Sequence, residues 1–222
     1  MGWWVTTMWN EDPALFIAWT VWVIFSISLH ELAHGWAALR RGDRTPIELG
    51  HMTWNPVVHM GTPSLIVFAI LGIAWGAMPV NPSRMRGRYA DAYVSFAGPA
   101  MNVGLAIVSS LCLAILARWT QNHYPTGDLP QQVHNLWTFF WVGASTNCVL
   151  AVFNLFPIPP LDGSRILADF WPRFRELIHD QRLMLIGLAV IIFVPGIIGE
   201  SIWTIGFAMA ERLLNMWRLV LG

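Results

Sequence analysis

Residues 14–39 read ALFIAWTVWVIFSISLHELAHGWAAL, an apolar run long enough to cross a membrane as one helix, with two histidines and a glutamate inside it. Ionisable side chains are costly in a bilayer, so their presence in such a run calls for a function. His30 and His34 are four residues apart and project from nearly the same face of a helix, where both can grip one zinc ion. Glu31 lies beside them, positioned to take a proton from water activated by that metal. Seven His and six Glu in 222 residues give H-E-x-x-H about 0.006 times in a shuffled chain of this composition. The competing reading, two core histidines flanking a glutamate by accident, requires buried partners for all three groups in lipid.

The composition agrees with a membrane setting. Apolar residues make up 55% of the chain and charged residues 12%, about half the charged share of a soluble domain. Many of the 14 tryptophans stand near the ends of apolar runs, where indole rings favour the headgroup level. The formal net charge is zero, which points to no nucleic-acid partner. Cys112 and Cys148 both fall in apolar spans and read as buried thiols rather than a disulfide or zinc ligands. The first residues include Glu11 and Asp12 in place of the basic region of a cleaved signal peptide.

Further apolar runs cover 64–80, 92–117, 133–156, 183–198 and 201–216. Positive charge clusters at Arg40, Arg41 and Arg44, at Arg84, Arg86 and Arg88, and at Arg165, Arg173, Arg175 and Arg182. By the positive-inside rule all three clusters are cytoplasmic. The run at 64–80 then cannot cross once. It is short and holds Gly72, Gly76 and Pro79, so it reads as re-entrant. The expected fold is an all-α polytopic membrane protein of about five spanning helices plus a re-entrant, strand-containing segment around 45–82. The N-terminus is expected outside. The whole chain reads as one membrane-embedded domain with its core at about 14–163 and C-terminal spans at about 183–217. Counting back from Arg40 places His34 and His30 roughly 9 and 15 Å below the cytoplasmic edge.

A catalytic zinc needs a third protein ligand. Asp162 is the leading candidate, because the stretch NLFPIPPLDG (154–163) is built to break a helix inside the membrane. Its three prolines end the preceding span, and Gly163 permits a sharp turn. His51, His59 and Asp91 remain open as alternatives, as does a plain capping role for Asp162.

Three separated motifs, HELAH at 30–34, GPAMN at 98–102 and NLFPIPPLDG at 154–163, together resemble the site-2 proteases, a family of intramembrane zinc metallopeptidases. The stretch WGAMPVNP at 75–82 is similar to the compact bacterial and archaeal members. The resemblance implies one zinc ion held by His30, His34 and Asp162, with Glu31 as the catalytic glutamate. The topology puts the site toward the cytoplasmic side, and the resemblance implies a prokaryotic cell membrane with transmembrane or signal-peptide-like substrates in the bilayer. Asn102 and Asn154 are strong hydrogen-bonding side chains in apolar spans. Either can join helices, worth about 1 kcal/mol, or orient substrate and support an oxyanion, worth roughly 3–4 kcal/mol of barrier. The resemblance favours the second role for both. Residues 47–60 partly alternate in polarity and read as short strands able to pair with an extended substrate. The alternative function is a membrane zinc transporter or sensor, which needs the histidines but no general base.

Overall fold

The computed structural model describes residues 3–178, 182, 186, 187 and 200–221. Helix α1 (Trp4–Glu11) meets α2 (Pro13–Arg40) at Asp12. The Asp12 carboxylate accepts the Leu15 N–H at 3.0 Å, and Pro13 occupies the first turn, so α2 starts on a cap and a preset φ. Then follow α3 (Thr45–Glu48), α4 (Pro56–Leu71), a 3-10 turn (Pro82–Arg84), α5 (Ala90–His123), α6 (Gln131–Asn154), α7 (Asp162–Phe170), α8 (Pro172–Ile178) and α9 (Glu200–Leu221). Among the described residues, α2, α5 and α6 are long and apolar enough to cross a membrane. The protein is an all-α membrane protein. The expected span at 183–198, with Pro195 and Gly196, lies almost wholly outside the described residues. The expected span at 201–216 falls within α9.

The segment between α2 and α5 departs from the expected strands. No strand forms among the described residues. Pro46 sits in the first turn of α3, and the Asn55 side chain accepts the Val57 N–H at 3.0 Å with Pro56 behind it, starting α4. Capping chemistry outweighs a weak period-two pattern over 47–60. Helix α4 is kinked at Gly61 (φ 68°, ψ 160°) and ends where Gly72 turns left-handed at φ 74°, a conformation glycine adopts at little cost.

From Gly72 the chain runs back along α4 without forming a helix. The Trp75 N–H donates to Ser64 Oγ at 2.9 Å, and Ser64 Oγ donates to the Trp75 carbonyl at 2.7 Å. The Ala77 N–H donates to the His59 carbonyl at 2.9 Å. At the far end the indoles of Trp3 and Trp4 both donate to the Ala69 carbonyl, one of the helix-end acceptors that would otherwise lack a partner. At the near end the Asn81 N–H donates to Asp43 Oδ2 at 2.6 Å. The excursion therefore leaves from the C-terminal end of α2 and returns to it, the out-and-back path read from the arginine clusters.

Small residues bring the long helices together. Ala106 of α5, Ala144 and Cys148 of α6 and Ala210 of α9 form one buried cluster. A Cβ at Gly143 would collide with the Trp22 indole, whose N–H donates to the Phe139 carbonyl at 2.8 Å. In a bilayer such close packing and interhelical hydrogen bonding hold helices together, since lipid is as apolar as leucine. Cys112 and Cys148 are free thiols.

Helix α6 ends at Asn154, ahead of Pro157, Pro159 and Pro160, and α7 begins at Asp162 itself. A Cβ at Gly163 would collide with the Leu155 carbonyl, so only glycine allows this fold-back. Helix α7 is tied to the start of α5: Asp169 accepts the Ala92 N–H at 3.0 Å, and Arg165 pairs with Asp91 at 2.6 Å. These contacts hold the first turn of α7 over the middle of α2.

Candidate metal centre

His30, Glu31 and His34 are each 7% exposed, within the most enclosed part of α2. The Nε2 atoms of His30 and His34 lie 3.0 Å apart. Asp162 Oδ2 lies 3.0 Å from the first and 3.3 Å from the second. His34 Nδ1 donates to the Val94 carbonyl of α5 at 2.7 Å, and His30 Nδ1 donates to Asn102 Oδ1 at 2.6 Å. Both partners are acceptors, so in the neutral rings the proton sits on Nδ1 and the Nε2 lone pair faces the centre. Asp162 Oδ2 is buried and has no hydrogen-bond partner.

With both rings neutral, three electron-pair donors thus converge, and their atoms lie within 4.8 Å of one another. Such a cluster is repulsive unless a proton or a metal cation sits among them. Two imidazoles and a carboxylate are a donor set zinc accepts, with a position left open. Among the described residues this is the single group of its kind. The three alternatives for the third ligand are engaged elsewhere or stand apart. His59 Nε2 donates to the Thr53 carbonyl at 2.7 Å, Asp91 pairs with Arg165, and His51 is outside the cluster.

A cavity of about 280 Å³ opens on these groups, lined also by Glu31, Asn154, Arg165, Met78 and Val80. Two glycines fix its walls. A Cβ at Gly98 would strike both histidine rings, so α5 approaches α2 this closely only because that position lacks a side chain. A Cβ at Gly76 would come within 2.5 Å of Glu31 Oε1. The returning segment therefore lies directly on the glutamate. Its Trp75 and Ala77 amides are bonded toward α4, whereas no described residue hydrogen-bonds to the backbone of Gly76, Met78 or Val80.

The two asparagines separate. Asn154 lines the cavity, with Nδ2 donating to the Leu150 carbonyl at 3.0 Å. Asn102 is fully buried away from the cavity. Its Oδ1 accepts from His30 and its Nδ2 donates to Asn147 Oδ1 at 2.9 Å. The expectation that Asn102 faces substrate therefore gives way to a contact with His30. Sequence reading passed over Asn147, and took Gly76 only as a helix breaker and Arg165 only as part of a charge cluster. For Asn147 the signal was present, an amide side chain in the middle of an apolar span like its two neighbours in kind.

A helical membrane bundle that gathers two histidines, an aspartate and a glutamate around one cavity has the makings of a membrane-embedded metallopeptidase. Residues 18–121 and 122–194 match Peptidase family M50, and the chain belongs to that family, which is the site-2 protease family. It is 35% identical over 153 residues to "Putative zinc metalloprotease YwhC" of Bacillus subtilis, covering 68% of this chain and 67% of that protein. It is 31% identical over 151 residues to "Putative zinc metalloprotease Rip2" of Mycolicibacterium smegmatis, covering 63% of this chain and 52% of that protein. A third relative, "Putative zinc metalloprotease MJ0611" of Methanocaldococcus jannaschii, is 27% identical over 161 residues, or 71% of this chain and 73% of the other. The chain thus spans about two thirds of the first of these and about half of the second. No solved structure matches it.

Proposed function

We propose that this protein is an intramembrane zinc endopeptidase that hydrolyses peptide bonds within or near membrane-spanning segments, the chemistry of regulated intramembrane proteolysis. The observation that carries the reading is the convergence of His30 Nε2, His34 Nε2 and Asp162 Oδ2 beside Glu31, on a helix apolar enough to cross a bilayer. One zinc ion per chain would be held by those three atoms. Bound there, zinc supplies a Lewis acid that acidifies water and polarises a carbonyl. Glu31 takes the proton of the attacking water and passes it to the departing amine. Asn154, at the cavity wall, donates to the developing oxyanion.

A transmembrane helix hides its carbonyls in its own hydrogen bonds, so the substrate must unwind to react. The backbone edge of Gly76, Met78 and Val80 supports the mode of capture. Its amides and carbonyls, which no described residue satisfies, match an extended chain laid beside Glu31. This replaces residues 47–60 as the pairing edge. Unpaired backbone at membrane depth must face a water-filled cavity, which also supplies the hydrolytic water. With the arginine-rich end of α2 cytoplasmic and the N-terminus outside, the site opens toward the cytoplasmic side of a prokaryotic cell membrane, where transmembrane or signal-peptide-like substrates reach it. The chain works as a single membrane-embedded domain, with its catalytic core at about 14–163.

The test is cleavage of a transmembrane reporter by the purified protein in lipid vesicles, wild type against Glu31→Gln, with zinc measured in both. One zinc per chain in each and cleavage in the wild type alone is the expected result. Zinc in both with equal cleavage would remove Glu31 from the chemistry, and a Glu31→Gln protein that moves zinc across the vesicle would favour a transporter.

A further inference from the structure

The orientation of His30 is set from deep inside the bundle. Asn147 of α6, itself fully buried, donates through Nδ2 to the Gly143 carbonyl at 2.9 Å. A backbone carbonyl can only accept, so this contact fixes which end of the Asn147 amide is nitrogen. Asn147 Oδ1 must then face Asn102, and Asn102 Nδ2 donates to it at 2.9 Å. That in turn turns Asn102 Oδ1 toward His30, where it accepts from Nδ1 at 2.6 Å. His34 needs no such device, since its Nδ1 meets the Val94 carbonyl directly.

We infer that Asn147 and Asn102 are positioning residues, a two-amide relay that carries the polarity of the Gly143 carbonyl to His30 and holds its ring with the proton on Nδ1 and the Nε2 lone pair at the metal centre. A lone Asn102 could rotate its amide by 180° and offer an N–H to His30, favouring the wrong tautomer. With Asn147 in place that flip would set the Asn102 oxygen against the Asn147 oxygen. Both amides are shut off from solvent, so no water can repair the mismatch. The relay also joins α2, α5 and α6 at the depth of the site, and its members sit on the three helices that are long and apolar enough to cross a membrane.

This inference rests on the metal reading of His30, His34 and Asp162, and one titration tests the two separately. Zinc affinity is measured by chelator competition on the full chain in lipid, with thermal unfolding of each metal-free variant as a folding control. Asn102→Leu removes the acceptor and is expected to weaken zinc binding by about 10–100-fold, the usual effect of losing a partner to a metal-bound histidine. Asn102→Asp keeps an acceptor for His30, at the cost of setting an oxygen against Asn147 Oδ1, and should recover part of that loss. Asn147→Leu frees the Asn102 amide to flip and should weaken binding by less than Asn102→Leu. The double variant should be no weaker than Asn102→Leu alone, because Asn147 acts only through Asn102. Wild type that binds no zinc overturns the metal reading and the relay with it. Wild-type affinity in Asn102→Leu, equal losses in the Leu and Asp variants, or losses that multiply in the double variant overturn the relay alone. If Asn102→Leu does not fold, the order wild type, Asn102→Asp, Asn147→Leu still decides.

Discussion

Asp43, just beyond the end of α2, binds the backbone N–H of Asn81, 38 residues later in the chain, so both ends of the excursion that covers Glu31 meet on one carboxylate. The same carboxylate accepts the Thr45 N–H at 3.0 Å and the Thr45 hydroxyl at 2.5 Å. Burial pushes its carboxyl up, but the hydrogen bonds from Asn81 and Thr45 outweigh that and hold it below its ordinary value. A carboxyl lowered on folding stabilises the protein above its unfolded pKa of about 3.9 and loses that contribution as the pH falls through the lowered native value. Asp43→Ala should cost about 3 kcal/mol near neutral pH and speed hydrogen exchange across residues 73–81. The stability gap between wild type and variant should narrow as the pH drops below about 4. Unchanged exchange across 73–81 in the variant would refute the clasp.

Gly76 has a different job. A methyl group there would meet the Glu31 carboxylate before anything else, and the clash is relieved only by moving the glutamate or lifting the segment off it. Gly76→Ala should therefore reduce cleavage by at least tenfold while zinc stays bound, since none of the three ligand atoms is touched. Displacing a general base costs up to about 10²–10⁴ in rate. Loss of zinc along with activity would show that the segment supports the ligands instead.

Gly98→Ala should produce the opposite split. Its methyl would collide with the Nε2 side of both His30 and His34, where the proposed metal would sit, so zinc affinity should fall with activity following. Overpacking a tight contact costs about 1–3 kcal/mol, or roughly 5–150-fold if it appears wholly in the bound state. A chelator titration that left the affinity unchanged would move α5 away from the histidines.

Much of this was written in the sequence, because helices that bury polar chemistry in an apolar run announce both at once. HELAH within 14–39 marked α2 and two of the three donors that converge, and the prolines of 157–160 marked the break that brings Asp162 to them. The segment 43–81 was legible as an excursion from its flanking arginines and its glycines. Its internal structure was not, because the Asn55-Pro56 cap and the left-handed turn at Gly72 set helix limits that hydropathy blurs. Gly98 stood out only as the first residue of GPAMN, and what it packs against could not be seen from periodicity. Asn102 illustrates the harder failure. Motif position put it near the chemistry, while the direction of its side chain, inward to His30, depends on the rotation of α5 about its own axis.

The crowding of lone pairs at the centre gives a prediction whose sign depends on metal. In wild type, zinc at 100 times its dissociation constant should stabilise the fold by about 2.7 kcal/mol, a rise of roughly 5–10 °C for a chain of this size. Asp162→Asn removes one negative ligand and should abolish most of that rise. Without metal the order should invert. With both rings neutral, the carboxylate oxygen of Asp162 faces two ring nitrogens at 3.0 and 3.3 Å without a shared hydrogen, whereas an amide N–H at that position would donate to one of them and relieve the repulsion. Metal-free Asp162→Asn should therefore unfold at the same temperature as metal-free wild type or above it, and below the zinc-loaded wild type. Scanning calorimetry of both proteins with zinc and with chelator reads all four states. A variant that is less stable than wild type in chelator would mean that Asp162 is held by contacts other than the metal, and its place in the ligand set would have to be given up.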